Sequence, residues 1–137
     1  MYYALTSHKG GWADTAANRL AIEHNVPAFV AAYENRFRER AGKTLVPERS
    51  SLISIGEDSP VVVSAIKKAE DRNSIILRVF NPSGKHEMPT LTSGKVFKKV
   101  FLCRLDEKRV EEIAARDNIH ISIHIKAHKI STVEIVL

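Results

Sequence analysis

The chain has 137 residues, 44% of them hydrophobic and 27% charged, and its 21 Lys and Arg against 16 Asp and Glu give a net charge of +5. A chain of this length forms one ordinary domain, or a small domain with part of another, and buries enough surface for a real core without covalent staples. The single cysteine, Cys103, excludes a disulfide scaffold, and the balance of apolar and charged residues excludes both intrinsic disorder and a membrane protein.

The opening residues, Met1-Tyr2-Tyr3-Ala4-Leu5-Thr6-Ser7-His8, carry neither a basic n-region nor an apolar h-region, so no secretion signal is read and a cytoplasmic location is expected. Tyr2 to Thr6 reads as the end of a strand. A Gly10-Gly11 turn follows, then Trp12, whose indole is expected to enter the core and pack beneath the next element. Ser7-His8-Lys9-Gly10-Gly11 is glycine-rich and basic but lacks the glycine-to-lysine spacing of a P-loop. Between Asp14 and His24 the three- and four-residue spacing of Ala16, Ala17, Leu20 and Ala21 predicts a helix, with Asp14 as its N-cap. The longest apolar run, Val26 to Tyr33, has 8 residues including a proline and is too short to span a bilayer. After Pro27, Ala28 to Tyr33 fits a strand or a helix equally well. From Arg36 to Ser51 the composition turns polar around Gly42, Pro47 and Ser50-Ser51, which predicts a linker joining two unequal parts, residues 1–50 and 51–137.

From Leu52 onward short apolar or alternating runs rich in Val and Ile recur between turn residues. They predict strands at Leu52–Ile55, Val61–Lys67, Ser74–Phe80, Glu87–Leu91, Val96–Leu105, Ile119–Lys126 and Ile130–Leu137. The intervening Gly56-Glu57-Asp58-Ser59-Pro60, Glu70-Asp71-Arg72-Asn73, Asn81-Pro82-Ser83-Gly84 and Ser93-Gly94 preset or tolerate turn dihedrals. Glu107 to Arg116 stands apart, because Val110, Ile113 and Ala114 have helical spacing. In the next strand Ile119, Ile121, Ile123 and Ile125 alternate with His120, Ser122, His124 and Lys126, giving one dry face and one wet face. About seven strands without crossover helices predict a mainly β chain whose C-terminal part is an antiparallel β-sandwich.

Chemistry is harder to find than structure. His120, His124 and His128 are spaced by four, but on a strand such positions lie about 13 Å apart, while zinc ligands all stand within about 2.0–2.3 Å of one ion. Cys103 lies in an apolar strand between Leu102 and Arg104, as a structural cysteine would, and not beside a base that could activate it. The adjacent carboxylates Glu57-Asp58 and Glu70-Asp71 sit in turns and read as turn-formers, whereas glycosidases place two carboxyl groups across a cleft. The basic cluster Arg36, Arg38, Arg40 and Lys43 is interrupted by Glu34 and Glu39, and Lys67-Lys68 runs straight into Glu70-Asp71. The excess charge is therefore dispersed over a solvated surface, and no nucleic-acid partner is expected.

One stretch is more specific than composition: Val61-Val62-Val63-Ser64-Ala65-Ile66-Lys67-Lys68-Ala69-Glu70-Asp71, then Ile75-Ile76-Leu77-Arg78-Val79-Phe80-Asn81-Pro82-Ser83-Gly84. It resembles the C-terminal region of α-mannosidases of glycoside hydrolase family 38, where a strand ending Leu-Lys-Lys-Ala-Glu-Asp is followed by Leu-Ile-Leu-Arg-Leu-Tyr-Asn-Pro. Upstream, Tyr3-Ala4-Leu5 with Ser7-His8-Lys9-Gly10-Gly11-Trp12 is similar to that family's Tyr-Ala-Leu-x-Pro-His-x-Gly-Asp-Trp, which an Ala-rich helix also follows. Downstream, Ile119–Ile125 and Ile130–Leu137 resemble the family's closing pair of strands. Ser7 stands where the family often has proline, Gly11 where it often has aspartate, and Ala127-His128-Lys129 where Pro-Phe-Glu is common.

The resemblance implies that residues 1–50 are a strand-helix tail of a central β-supersandwich, and that 51–137 form the small C-terminal sandwich. It also allows a loop with at most one helical turn over Glu107–Arg116. The family's nucleophilic aspartate and zinc ligands belong to an N-terminal α/β barrel, so no catalytic, cofactor-binding or metal-binding residue is carried onto this sequence, and zinc is expected only in that barrel. Arg78, inside the matched motif, reads as a strand-surface residue. Two roles follow: a non-catalytic part of a mannosidase that buttresses its catalytic barrel, or a free-standing carbohydrate-binding sandwich that uses exposed aromatic residues. The first is preferred, because alternation places Phe80, Phe97 and Phe101 mostly inward. The expected partners are the catalytic and middle domains, or further copies of this chain held by exposed apolar residues such as Phe29, Tyr33 or Phe37.

Overall fold

A computed structural model describes residues 3–12, 17–26, 28–30, 50–56 and 59–137. Among the described residues one helix, α1 (Ala17–Asn25), precedes eight strands: β1 (Ile53–Ile55), β2 (Val62–Lys68), β3 (Ile75–Phe80), β4 (Thr90–Ser93), β5 (Lys99–Cys103), β6 (Arg109–Glu112), β7 (His120–Ser122) and β8 (Ile130–Val136). They form a three-stranded sheet in the order β1-β4-β7 and a five-stranded sheet in the order β2-β3-β8-β5-β6, and every pairing is antiparallel. The chain is mainly β and builds a sandwich, as the alternating runs predict.

Between the sheets lies one apolar cluster. Leu91, Ile121, Ile123 and Ile125 come from the smaller sheet and its continuation, and Leu77, Val79, Val100, Val133 and Ile135 from the larger. The isoleucine alternation is realised from residue 120 on: Ile121, Ile123 and Ile125 are buried while His120, Ser122, His124 and Lys126 are exposed. Full burial of side chains this size is worth roughly 1.5–3 kcal/mol each, so this layer dominates stability. The ladder stops at Ser122 but resumes as a single Glu87–Ile125 bridge. Consequently the expected strand Ile119–Lys126 shortens to His120–Ser122, and the expected strand Glu87–Leu91 is shifted to Thr90–Ser93, running two residues past its expected end into the Ser93-Gly94 turn.

Glu107–Arg116 departs from both readings of it. Residues 109–112 are neither helix nor loop but strand β6, paired with β5. The register passes from Leu102↔Glu111 directly to Cys103↔Arg109, leaving Val110 unpaired in a bulge and exposed. An extra residue in one strand breaks the two-residue alternation, and this imitated helical spacing. The hairpin closes through Glu107 N–H to Arg104 O (3.0 Å) and Arg104 N–H to Lys108 O (2.9 Å), with Glu107 in the left-handed region at φ 63. A second bulge in β2, between Val63 and Ala65, leaves Val63 opposite Val79 while setting Lys67 opposite Ile76 on the outer face.

The N-terminal part keeps its helix but not its expected packing. Residues 3–8 form no strand, in contrast to the reading of Tyr2–Thr6, because no described strand offers them a ladder and all of them are exposed. Trp12 keeps 54% of its surface accessible. Among the described residues α1 buries none of its side chains, so the helix supplies no closed core around the indole. Gly10 does take the left-handed turn conformation, at φ 89. The Asp14 cap, most of the linker at Arg36–Ser51, and Glu57-Asp58 lie outside the described residues.

Candidate functional site

Polar chemistry concentrates in two places, both on the five-stranded sheet. The first covers its outer face. Strand β8 reads Ile130-Ser131-Thr132-Val133-Glu134-Ile135-Val136, and because successive side chains alternate, Val133 and Ile135 enter the core while Glu134 turns away from it. Glu134 is nevertheless fully buried. Arg109 from β6 donates to both of its oxygens (Nε to Oε2 and Nη2 to Oε1, each 2.8 Å), and Arg72 Nε (3.2 Å) and Ser74 Oγ (2.7 Å) also donate to Oε1. The Arg109 fork holds the carboxyl well below its ordinary value, at about 2, helped by Ser74 and Arg72. Arg109 also lies over the Phe101 ring, 4.0 Å from its centre.

Beside this cluster stands Glu107. It accepts from Lys67 Nζ (2.6 Å) and from the backbone N–H of Glu70 (3.1 Å), and its own carbonyl accepts from Arg72 Nη2 (2.7 Å). The Lys67 ammonium lowers the Glu107 pKa and Glu107 raises that of Lys67. These contacts offset the strain of a non-glycine residue at positive φ, which is of order 1–3 kcal/mol. Every charge here is answered by another charge or a hydrogen bond, and no buried side-chain polar atom among the described residues lacks a partner. The cluster therefore braces the sheet, and offers no free acid or base.

The second place is a cleft of about 660 Å³ where β5 and β8 part at one end of the sandwich. One wall is the β5–β6 turn with Arg104, Leu105 and Asp106, and the other is the β7–β8 connection with His124, Lys126 and Lys129, while Ser131 and Thr132 stand between. Asn81 sets the second wall. Fully buried, its Nδ2 donates to Lys85 O (2.8 Å), Lys126 O (3.2 Å) and Ile125 O (3.3 Å), while its own N–H bonds Lys129 O (3.0 Å). Arg78 sets the first, with Nη2 donating to Leu105 O (3.2 Å) and Nε to Thr132 Oγ1 (3.4 Å).

The residues singled out from sequence are dispersed. His120 is exposed and pairs with Asp117 (2.8 Å), whose carboxyl that contact and the His120 and Ile119 amides hold at about 2. His124 lines the cleft, and His128 sits in a turn at φ 55 instead of on a strand. Among the described residues no three His, Cys, Asp or Glu side chains stand together in a way that could hold a metal ion. Cys103 is buried, its thiol pushed up by that burial and by Glu134. Glu70-Asp71 occupies a turn, and Arg78 is a half-buried brace. Sequence reading missed Glu134, Arg109, Arg72 and Glu107 as a cluster. One signal was available, a lone glutamate inside the apolar run from Ile130 to Leu137. Asn81 was read only as a turn-former.

No helix among the described residues is long and apolar enough to cross a membrane. A comparison with curated proteins found no match. The model of the glycosyl hydrolases family 38 C-terminal beta sandwich domain matches residues 60–133, from the start of β2 into β8. More than half of the chain is matched, and the matched part carries strands of both sheets of the sandwich, all but β1 and the end of β8; the chain belongs to the family of glycosyl hydrolase family 38 C-terminal β-sandwich domains.

Proposed function

We propose that the chain is the non-catalytic C-terminal portion of an α-mannosidase, supporting a zinc-dependent catalytic barrel that removes terminal α-mannosides. The observation that carries this is the family match over residues 60–133, joined to a polar inventory in which the buried carboxylates are committed to bracing contacts. Retaining hydrolysis of a glycoside takes two carboxyl groups about 5–5.5 Å apart across the sugar. Here Glu134 and Glu107 are instead neutralised by arginine and lysine. Residues 1–50 are assigned to the tail of the adjoining supersandwich, on the resemblance of their Tyr3–Trp12 motif. Exposure of Leu5, Val26, Phe29 and Val30 supports a covering partner domain.

A carbohydrate-binding role without a barrel is the weaker reading. Among the described residues of the sandwich no phenylalanine is exposed: Phe97 is buried, Phe80 half-buried, and Phe101 half-buried under Arg109. The deciding experiment assays a chromogenic α-mannoside with this chain alone and with a polypeptide in which an α/β barrel precedes it in frame. Zinc-dependent turnover is expected only from the second. Turnover that copurifies with this chain alone and vanishes on mutating one of its carboxylates would overturn the proposal.

A further inference from the structure

We propose that the cleft between the β5–β6 turn and the β7–β8 connection binds a small ligand carrying a phosphate or sulfate ester. This assignment rests on the chain's own residues, whichever polypeptide the sandwich belongs to. At about 660 Å³ the hollow falls within the range of small-molecule sites. Its charge is one-sided. Arg104, Lys126 and Lys129 line it against a single carboxylate, Asp106, which is already shared between Arg104 and Lys108 at 3.5 Å each. Neither Lys126 nor Lys129 has an ion-pair partner among the described residues.

A second observation points the same way. Ser131 is 8% exposed and lines the cleft, and its hydroxyl makes no hydrogen bond within the described protein. No buried polar side-chain atom there is sealed off without a partner, so this hydroxyl keeps accessible surface at the cleft its residue lines and can bond a ligand oxygen. Leu102, Leu105, Ile125 and Ile130 supply an aliphatic wall for a carbon body, whereas the lining holds no Phe, Tyr or Trp ring on which a neutral sugar could stack. Both walls are held before any ligand arrives, one by Arg78 and the other by buried Asn81. Such preorganisation reduces the ordering that binding would otherwise require.

The test is an NMR titration of the whole chain with a hexose phosphate, inorganic phosphate, the neutral hexose and a glutamate-rich peptide. Saturable binding of the hexose phosphate is expected at a Kd of about 1 mM or tighter, with shifts centred on Lys126, Lys129 and Ser131 and weakening as salt is raised. Replacing both Lys126→Ala and Lys129→Ala, exposed positions whose loss leaves the core intact, should weaken it about tenfold, or 1.4 kcal/mol. The pair Lys95→Ala and Lys98→Ala, outside the lining, should change nothing. No saturation by about 10 mM, equal binding of the neutral hexose, or indifference to the Lys126/Lys129 replacements would overturn the proposal. Inorganic phosphate binding as tightly as its ester would overturn the part assigned to the aliphatic wall. Tighter binding of the acidic peptide at the same residues would replace a ligand site with a docking site.

Discussion

At the scale of single residues, Glu134 governs the outer face. It is fully buried with its charge intact, so removing the charge leaves two arginines facing an uncompensated site. Breaking a fully buried pair by removing one partner costs about 3–5 kcal/mol; here water reaches part of the Arg72 and Arg109 side chains, so the cost falls below that range but stays above that of an exposed pair. Glu134→Gln should therefore lower the urea midpoint sharply, whereas Glu112→Gln, which breaks only the exposed pair with Lys99 at 3.1 Å, should shift stability by about 1 kcal/mol or less. The same residue predicts the acid response. Its folded pKa is depressed from 4.5 to about 2, so the stability it contributes is complete above the unfolded value and is lost as pH falls through that window. Asp117, depressed from 3.8 to about 2, acts in the same sense. Urea melts between about pH 5 and pH 2 should show a progressive loss, and Glu134→Gln should flatten that slope. Little of this was legible in the sequence. A glutamate inside a Val/Ile run signals that something must answer it, but Arg72 and Arg109 lie 62 and 25 residues away, and only the closed sheet brings them together.

At the scale of elements, the attachment of β1 depends on a close approach that only glycine allows. A Cβ at Gly94 would collide with the Ser51 carbonyl oxygen, while one at Gly56 would meet open space. Gly94 N–H also bonds Leu52 O at 2.9 Å. Gly94→Ala should destabilise by about 1–3 kcal/mol through forced displacement of the backbone, and Gly56→Ala should be neutral or stabilising by up to about 1 kcal/mol; thermal melts of the two variants check the contrast. The element most misread was β6. Its bulge at Val110 removed the two-residue period that marks a strand, and its four residues are all exposed. What fixes it as a strand is the tight turn at Arg104–Lys108 and the Arg109–Glu134 pair, features invisible to periodicity. By contrast Ile121, Ile123 and Ile125 were legible, because each faces the core in the sequence's own alternation.

At the scale of the whole molecule, every strand among the described residues and the apolar cluster fall within residues 53–136, whereas the described residues before 50 include none that is buried. Together with the polar, turn-prone composition of Lys43–Ser51 this predicts that limited proteolysis cuts there first and leaves a resistant piece beginning near Ser51; early cleavage within Val61–Leu105 instead would refute the division. Exposed Tyr3, Leu5, Val26, Phe29 and Val30 predict concentration-dependent self-association of the isolated chain. Sedimentation should show it, and a strict monomer over a wide concentration range would mean that residues 1–50 need no cover.

The sequence by itself determined the β class, the positions of most strands and the identity of the buried isoleucines and valines, because face burial is written locally as a period of two. It also carried the family resemblance through Val61–Gly84. Only the tertiary structure decided the strand order β2-β3-β8-β5-β6, the charge cluster around Glu134 and the cationic cleft. Each of these depends on which distant strands become neighbours when the sheets close, and no local period encodes that choice.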